Sequence, residues 1–354
     1  MPQAFALYRF PHEDHYFRLE GQTQELFSCA RLDGVSGFVI APFEIKEEQP
    51  IVVIRPDSLS SHPVPALGLS PASGSLSPGS FPSGHVTGVP SPSYVIDFSS
   101  FHAQLCQDTF RKIVLARCAD ETLPSSVQPE ELFFRACNLY PRLFVTLVST
   151  PKSGLWLTAT PEILLEGEAG IWHTIALAGT MQLKGDQLKG EGEDVAWSTK
   201  NIEEQRIVAT YIAECLEQFT TDFHEEGPRT ARAADLVHLR SDFRFTLPDD
   251  RHLGELLGRL HPTPAVCGLP KREAFRFIVD NEHTPRRYYS GFLGTLNMEQ
   301  ATHLYVSLRC MNIDGDCCHL YAGGGLLRDS VEQQEWLETE AKLETMRRLL
   351  NYNW

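Results

Sequence analysis

Apolar residues recur three and four positions apart over 98–110, 129–138, 197–219, 253–260, 271–281 and 331–350, a spacing that lines one face of a helix and predicts six of them. Runs rich in β-branched and aromatic residues at 112–119, 143–149, 155–158, 163–166, 171–175, 304–310 and 318–322 predict strands. The strand runs come in neighbouring pairs with short turns at 151–154 and 166–170, so antiparallel pairing with helices outside is expected. The predicted class is α+β: large, mostly antiparallel sheets packed together and flanked by helices, and not a doubly wound parallel sheet. Upstream, 37–40 and 51–54 read as strands of a small N-terminal region covering 1–57. The segment 58–96 has no Asp, Glu, Lys or Arg, and ten Ser, seven Pro and five Gly fill 22 of the 34 positions from Ser60 to Ser93. Such a stretch predicts a loop or linker without helix or central strand, leaving 97–354 as the main domain.

Composition narrows the function classes. The 354 residues are 42% hydrophobic and 22% charged, which is ordinary for a globular chain. Lys and Arg number 31 against 46 Asp and Glu, a net charge of -15. That balance argues against nucleic acid as a partner and against attachment to anionic lipid by charge. Nothing near 18 consecutive apolar residues occurs, so no membrane-spanning helix is expected. Residues 1–10 hold a single Arg and lack the apolar core and cleavage site of a secretory signal. The nine cysteines are scattered, odd in number and without a C-x-x-C pair, so they read as reduced, mostly buried thiols. The expected location is cytoplasmic, with a monomer or weak homo-oligomer as the state.

Several segments place polar groups where an apolar pattern makes them costly. As a strand, 111–120 (RKIVLARCAD) puts Lys112, Val114, Ala116 and Cys118 on one face and Ile113, Leu115 and Arg117 on the other. Both faces are largely apolar. Desolvation there would push Lys112 towards a useful general base, although the segment read alone favours a lysine marking the strand's solvent end. In 197–219, Glu204 continues the stripe Val208, Ile212 (or Tyr211), Cys215 and Phe219, and a carboxylate in that place needs a partner or a metal. In the last helix, for which Ser330 and Gln333 form a capping-box pattern, Glu335, Glu338 and Lys342 share a face running into Met346 and Leu349. That arrangement suits a hard cation with an anion beside it, or equally an ordinary ion pair from Glu338 to Lys342. Upstream, three glycines in YAGGGL, read as lying between a strand and a helix, would expose backbone N–H groups to a carboxylate. Neither a P-loop nor a dinucleotide fingerprint is present. Tyr305, Ser307 and Arg309 are expected on one face of the preceding strand, with Arg309 as a bidentate carboxylate clamp. His12 with His15, and the proline-rich HPTP at 261–264, lack the partners that a metal site would need.

Taken together, RKIVLAR, LTATPEILLE, ALAGT, STKNIEEQRIV, LVHL, LHPTPAVCGLPK, RRYYSGFLG, VSLRCMNI, LYAGGGLL and EWLETEAKLETM, spanning 111–346, resemble in content and order the chorismate-utilising enzymes, and among them the isochorismate synthases. The resemblance implies that Lys112 activates water for attack on C2 of chorismate and that Glu162 protonates the departing C4 hydroxyl. It implies Mg²⁺ held by Glu204 and Glu338, with Glu335 nearby through water. It further implies that Arg309, Tyr289, Lys342 and the backbone around Gly324 grip the substrate carboxylates, while Ala178, Gly179, Thr180 and His238 line the pocket. Glu162 is unremarkable in its own segment. Anthranilate synthases usually carry Gln where Lys112 stands, so ammonia chemistry is not expected. Salicylate synthases share the lysine and are the nearest alternative, and a non-catalytic chorismate-binding relative is the other. A role in menaquinone synthesis is expected ahead of one in siderophore synthesis. Asn201 and Ile202 depart from the family pattern, as does the N-terminal region.

Overall fold

Sixteen strands and six α-helices are described in the computed structural model, which covers residues 4–67, 88–182, 195–233, 236–247 and 252–351. The chain opens with β1 (Ala4–Arg9), β2 (His15–Leu26), β3 (Gly37–Ala41) and β4 (Ile51–Pro63). Next come α1 (Pro92–Cys106), β5 (Lys112–Thr122), α2 (Pro129–Leu139), β6 (Phe144–Thr150), β7 (Gly154–Thr160), β8 (Ile163–Glu168) and β9 (Ile171–Gln182). They are followed by α3 (Thr199–Leu216), β10 (Phe223–Ala233), β11 (Leu236–Thr246), α4 (Leu253–Leu260), β12 (Gly268–Leu269) and α5 (Lys271–Asn281). The last elements are β13 (Phe292–Met298), β14 (Ala301–Val306), β15 (Cys310–Asp314), β16 (Cys317–Leu326) and α6 (Glu332–Asn351).

The strands form one antiparallel sheet in the order β10-β11-β9-β8-β14-β13-β3-β4-β2-β1-β6-β7-β15-β16-β5-β12. Were it flat, β14 and β6, six places apart, would be separated by ~29 Å at the usual strand spacing. Yet the rings of Tyr305 on β14 and Phe144 on β6 stack with centroids 4.3 Å apart. The sheet therefore doubles over on itself. Its inner face encloses a core of Tyr8, Phe38, Phe144, Trp156, Tyr288, Tyr305 and Tyr321. Outside, α3 and α4 cover one wing through Val208, Ile212, Leu256 and Leu260. On the other wing α2 and α6 pack through Leu132, Phe133, Leu343 and Met346. Each such fully buried side chain contributes about 1.5–3 kcal/mol. No helix among the described residues is long and apolar enough to cross a membrane.

The α+β class holds, with one continuous folded sheet in place of separate ones. Helices α4 and α5 have the bounds that their periodicity predicts. Other expectations need correction. Strand β4 runs into the Ser-rich segment as far as Pro63 because it pairs with β2 from Leu26↔Ile51 to His15↔Pro63, an extension that is exposed beyond Ile54. Helix α1 begins at Pro92, where proline needs no N–H partner and Ser91 Oγ accepts from the Tyr94 N–H. The interior of that segment, 68–87, lies outside the described residues. The run 304–310 is not one strand. It breaks after Val306, Arg309 takes φ +48°, and β14 and β15 lie far apart in the sheet. Tyr305 and Arg309 therefore do not share a strand face. The three glycines lie within β16, paired Gly323↔Ala116, Gly324↔Leu115 and Gly325↔Val114, and do not form a loop before a helix. Ser330 Oγ accepts from the Leu327 N–H and Gln333 donates to Gly88 O, so neither group makes the capping contact expected of it.

Candidate active site

Folding the sheet over brings β9 and β11 of one wing towards β5 and β16 of the other, with α3 and α6 reaching in from outside. Between them is a cavity lined by Glu162, Ala178, Gly179, Thr180, Glu204, His238, Tyr289, Arg309 and Lys342, together with Gly323 and Gly325. Glu162 stands in the turn between β7 and β8, where Thr160 Oγ1 accepts from its N–H at 3.3 Å. Its burial pushes the carboxyl up to about 8, against the opposing charges of Lys112, Lys342 and Arg309. Glu162 is thus protonated at neutral pH, as a proton donor must be.

Lys112 is fully buried at the start of β5, which overturns the solvent-end reading. Its Nζ lies 2.9 Å from Glu204 Oε1 in an ion pair whose angles leave the ammonium without a hydrogen-bond partner. Glu204 projects from α3, whose start is set by Ser198 Oγ accepting from the Asn201 N–H. Its other oxygen accepts from the Gly179 N–H at 3.2 Å. Burial alone would raise the Glu204 carboxyl, but Lys112, then Lys200 and Lys342, bring it below the ordinary value. The close approach is made possible by Gly325. A Cβ there would stand 2.1 Å from Glu204 Oε1 and 2.9 Å from Lys112 Cε. Gly323 has a similar role, since a Cβ would meet the Tyr289 hydroxyl at 2.7 Å.

On the opposite wall Arg309 Nη2 donates to His238 Nε2 at 3.0 Å, and His238 Nδ1 donates to Gly179 O at 3.0 Å. This pairing requires one neutral tautomer of His238. Burial, then Arg309 and Lys342, holds the imidazole well below its ordinary value, in agreement with that state. Thr180 Oγ1 is 3.3 Å from the same Nδ1. Arg309 Nη1 is buried with no hydrogen-bond partner, and burial lowers the guanidinium to about 10. A desolvated, unpartnered guanidinium N–H on a cavity wall is prepared for an anion. Tyr289 stacks on Tyr321, with centroids 5.5 Å apart.

Three carboxylates stand at or near the cavity, each offset by a lysine. Lys112 pairs with Glu204, Lys200 with Glu335, and Lys342 with Glu338 at 2.8 Å. Lys342 also donates to Gly323 O at 2.9 Å. Burial and the Glu338 charge raise the Glu335 carboxyl, and its Oε2 is buried without a hydrogen-bond partner. All three are hard oxygen donors of the type a cation such as Mg²⁺ takes, but among the described residues their oxygens do not all lie within 4.8 Å of one another, so holding one ion would require them to draw together.

Nine of the thirteen residues singled out from sequence line the cavity. Lys112 and Glu338 adjoin it through their ion pairs with Glu204 and Lys342, which line it. Glu335 pairs with Lys200, which does not, and Gly324 lies beside Glu335 Oε2 while its two neighbours line the wall. Two contributors were not singled out. Lys200 sits in the first turn of α3, where the helix dipole disfavours a cation, and that misplacement was the available signal. Gln205 is buried, accepts from the Ala178 N–H at 3.0 Å and donates to Ala176 O, which ties α3 to β9. His261 is buried against Pro42 O, away from any metal role. All nine cysteines are free thiols, six of them buried.

A family profile described as chorismate binding enzyme matches residues 89–351. The isochorismate synthase EntC of Escherichia coli (strain K12) is 28% identical over 238 residues, 66% of this chain and 61% of EntC. DhbC of Bacillus subtilis (strain 168) is 30% identical over 278 residues, covering 75% and 70%. MenF of Escherichia coli (strain K12) is 32% identical over 243 residues, covering 68% and 56%. The match to EntC and MenF spans about three-fifths of their length. Among solved structures, Escherichia coli MenF, the menaquinone-specific isochorismate synthase, superposes with a TM-score of 0.80 at 23% identity, over 98% of this chain and 89% of that one. Anthranilate synthase component I from Streptococcus pneumoniae TIGR4 gives 0.70 at 15%, over 98% and 90%. At these identities the structural likeness establishes the fold.

Proposed function

Because this chain belongs to the chorismate-binding enzymes, we propose that it is a Mg²⁺-dependent isochorismate synthase. The observation that carries this reading is the placement, around one cavity, of the buried Glu162 carboxyl and the buried Lys112–Glu204 pair. Moving a hydroxyl from C4 to C2 of the chorismate ring needs a base for the incoming water and an acid for the departing one. Lys112, its ammonium proton first given up to Glu204 at 2.9 Å or to solvent, takes a proton from water as its oxygen bonds to C2. The ring double bonds shift, the C4–O bond breaks, and Glu162 delivers its proton so that the hydroxyl leaves as water. One water enters and one leaves, no electrons are exchanged, and the proton gained by Lys112 balances the one lost by Glu162.

The substrate is a dianion. Arg309 Nη1 takes one carboxylate, held in its plane by His238, and Lys342 and Tyr289 stand nearby. Glu204, Glu335 and Glu338 would hold Mg²⁺, which supplies Lewis acidity towards a substrate carboxylate when bound. Menaquinone synthesis is the destination we propose for the product, by likeness to Escherichia coli MenF, the menaquinone-specific isochorismate synthase.

The test is chromatographic analysis of chorismate incubated with the purified chain and Mg²⁺. Isochorismate formed reversibly is the expected result. Stoichiometric pyruvate would make it a salicylate synthase, and chorismate binding without turnover would make it a non-catalytic relative.

A further inference from the structure

Away from the cavity, the far ends of β5 and β16 bring together side chains that the chemistry above does not use. His319 is paired across the ladder with Asp120, and Cys118 with Tyr321. Residues two apart on a strand face the same way, so Cys118, Asp120, Cys317 and His319 share one face. His319 Nδ1 lies 2.6 Å from Asp120 Oδ1, and Cys118 Sγ lies 3.8 Å from the same oxygen. The three donor atoms are all within 4.8 Å of one another.

We propose that Cys118, Asp120 and His319 form a second cation site, for a thiophilic divalent ion of the zinc class. A tetrahedral site with metal bonds of about 2.0–2.3 Å separates its donor atoms by roughly 3.3–3.7 Å, so shifts of about an ångström bring the three into place. One thiolate, one imidazole and one carboxylate are the donors that such an ion selects over Mg²⁺. Cys317 Sγ, 3.9 Å from His319 Nδ1, stands beside the fourth position, which water otherwise fills. Access is open, because the Asp120 side chain is 68% exposed and that of His319 30%.

On binding, the Cys118 thiol proton leaves to solvent as the sulfur–metal bond forms, and the His319–Asp120 contact gives way to two metal bonds. Burial and the Asp120 charge push that thiol up to about 12, and a cation among the three groups reverses the balance. Asp120 lies eight residues along β5 from Lys112, ~26 Å at strand rise, so the ion would not touch Lys112, although Cys118 is paired with Tyr321, which lines the cavity. It would clamp the two strands that carry Lys112 and Gly325 at their other ends.

The test uses cobalt(II) as a probe on the chelator-treated full chain, followed by zinc titration calorimetry. One cobalt per chain with a thiolate-to-cobalt charge-transfer band is expected. Cys118→Ser should abolish the band, and His319→Ala should weaken binding at least tenfold while Mg²⁺-dependent turnover is retained. Zinc should raise the thermal midpoint of the wild type and not that of Cys118→Ser. An unchanged band in both variants, or no band in the wild type, would overturn the proposal. So would loss of the band in Cys106→Ser, since Cys106 Sγ lies 3.7 Å from His102 Nδ1 and offers an exposed rival pair.

Discussion

Replacing Glu162 by Gln separates the chemistry of that carboxyl from its shape. In the wild type the carboxyl titrates near 8, against an ordinary 4.5 when the chain unfolds. The folded state then holds one more proton than the unfolded state across that interval, so stability is greatest below about 4.5 and declines as pH rises to about 8. At about 1.4 kcal/mol per pH unit the loss sums to ~5 kcal/mol, an upper value because Lys112, Lys342 and Arg309 can rearrange towards the ionised form. Glutamine has nearly the same volume and does not titrate. The variant should therefore match the wild type at roughly pH 5 and become the more stable of the two by several kcal/mol at roughly pH 9. Urea titrations of both proteins at each pH, with and without Mg²⁺, measure the difference. Turnover by Glu162→Gln should fall to background at every pH, and wild-type turnover should decline above about pH 8 as the acid ionises. Parallel stability curves would refute the reasoning, because Glu162 would then be ionised at neutral pH and unable to donate.

Other outcomes follow from the same geometry. Arg309→Ala should raise the KM for chorismate about 10- to 150-fold, the worth of a hydrogen bond to a charged group, in steady-state assays. Gly325→Ala drives a methyl into Glu204 Oε1, and should cost about 1–3 kcal/mol of stability and weaken Mg²⁺ binding by calorimetry, with the circular dichroism of the fold retained. Lys200→Gln removes the ammonium that neutralises Glu335, so Mg²⁺ should bind several-fold more tightly while the metal-free protein melts earlier; weaker binding would show that Lys200 does not compete with the metal. Because His238 is held neutral, turnover should show no inflection near pH 6.5.

What the sequence reveals follows from which patterns carry period. Helices α4 and α5 are strongly amphipathic and were legible to the residue. Helical spacing alone placed Glu204, Glu338 and Lys342 on informative faces. Glu162 had no such signal, because a turn between two strands imposes no periodicity on TPEI. Strands β1, β2, β10, β11 and β13 have no counterpart among the predicted runs. Much of β2 is exposed and β10 is an edge strand rich in charge, where burial does not impose alternation. Strands β1, β11 and β13 are buried on both faces for most of their length and so show no alternation either. The run through 304–310 concealed a break because apolar residues continue across it, and only the positive φ of Arg309 marks the turn. The glycines of β16 were noticed for their exposed backbone. Their use at Gly325 and Gly323 is to admit Glu204 and the Tyr289 hydroxyl, a tertiary fact that no local pattern carries.

The place of β1 to β4 in the sheet has a consequence for how the chain is made. These four strands bridge the two wings, β3 pairing with β13 on one side and β1 with β6 on the other. They leave the ribosome before the strands they pair with on either side, yet β3 must wait for residues some 250 positions later before that edge is closed. Until then the nascent chain exposes unpaired backbone on strands rich in Val and Ile, a form prone to association. The portion from 89 onward, which carries nearly all the chemistry, would emerge as two half-sheets with no hinge between them. A chain whose candidate site residues lie after position 111 thus depends for their meeting on strands synthesised before them.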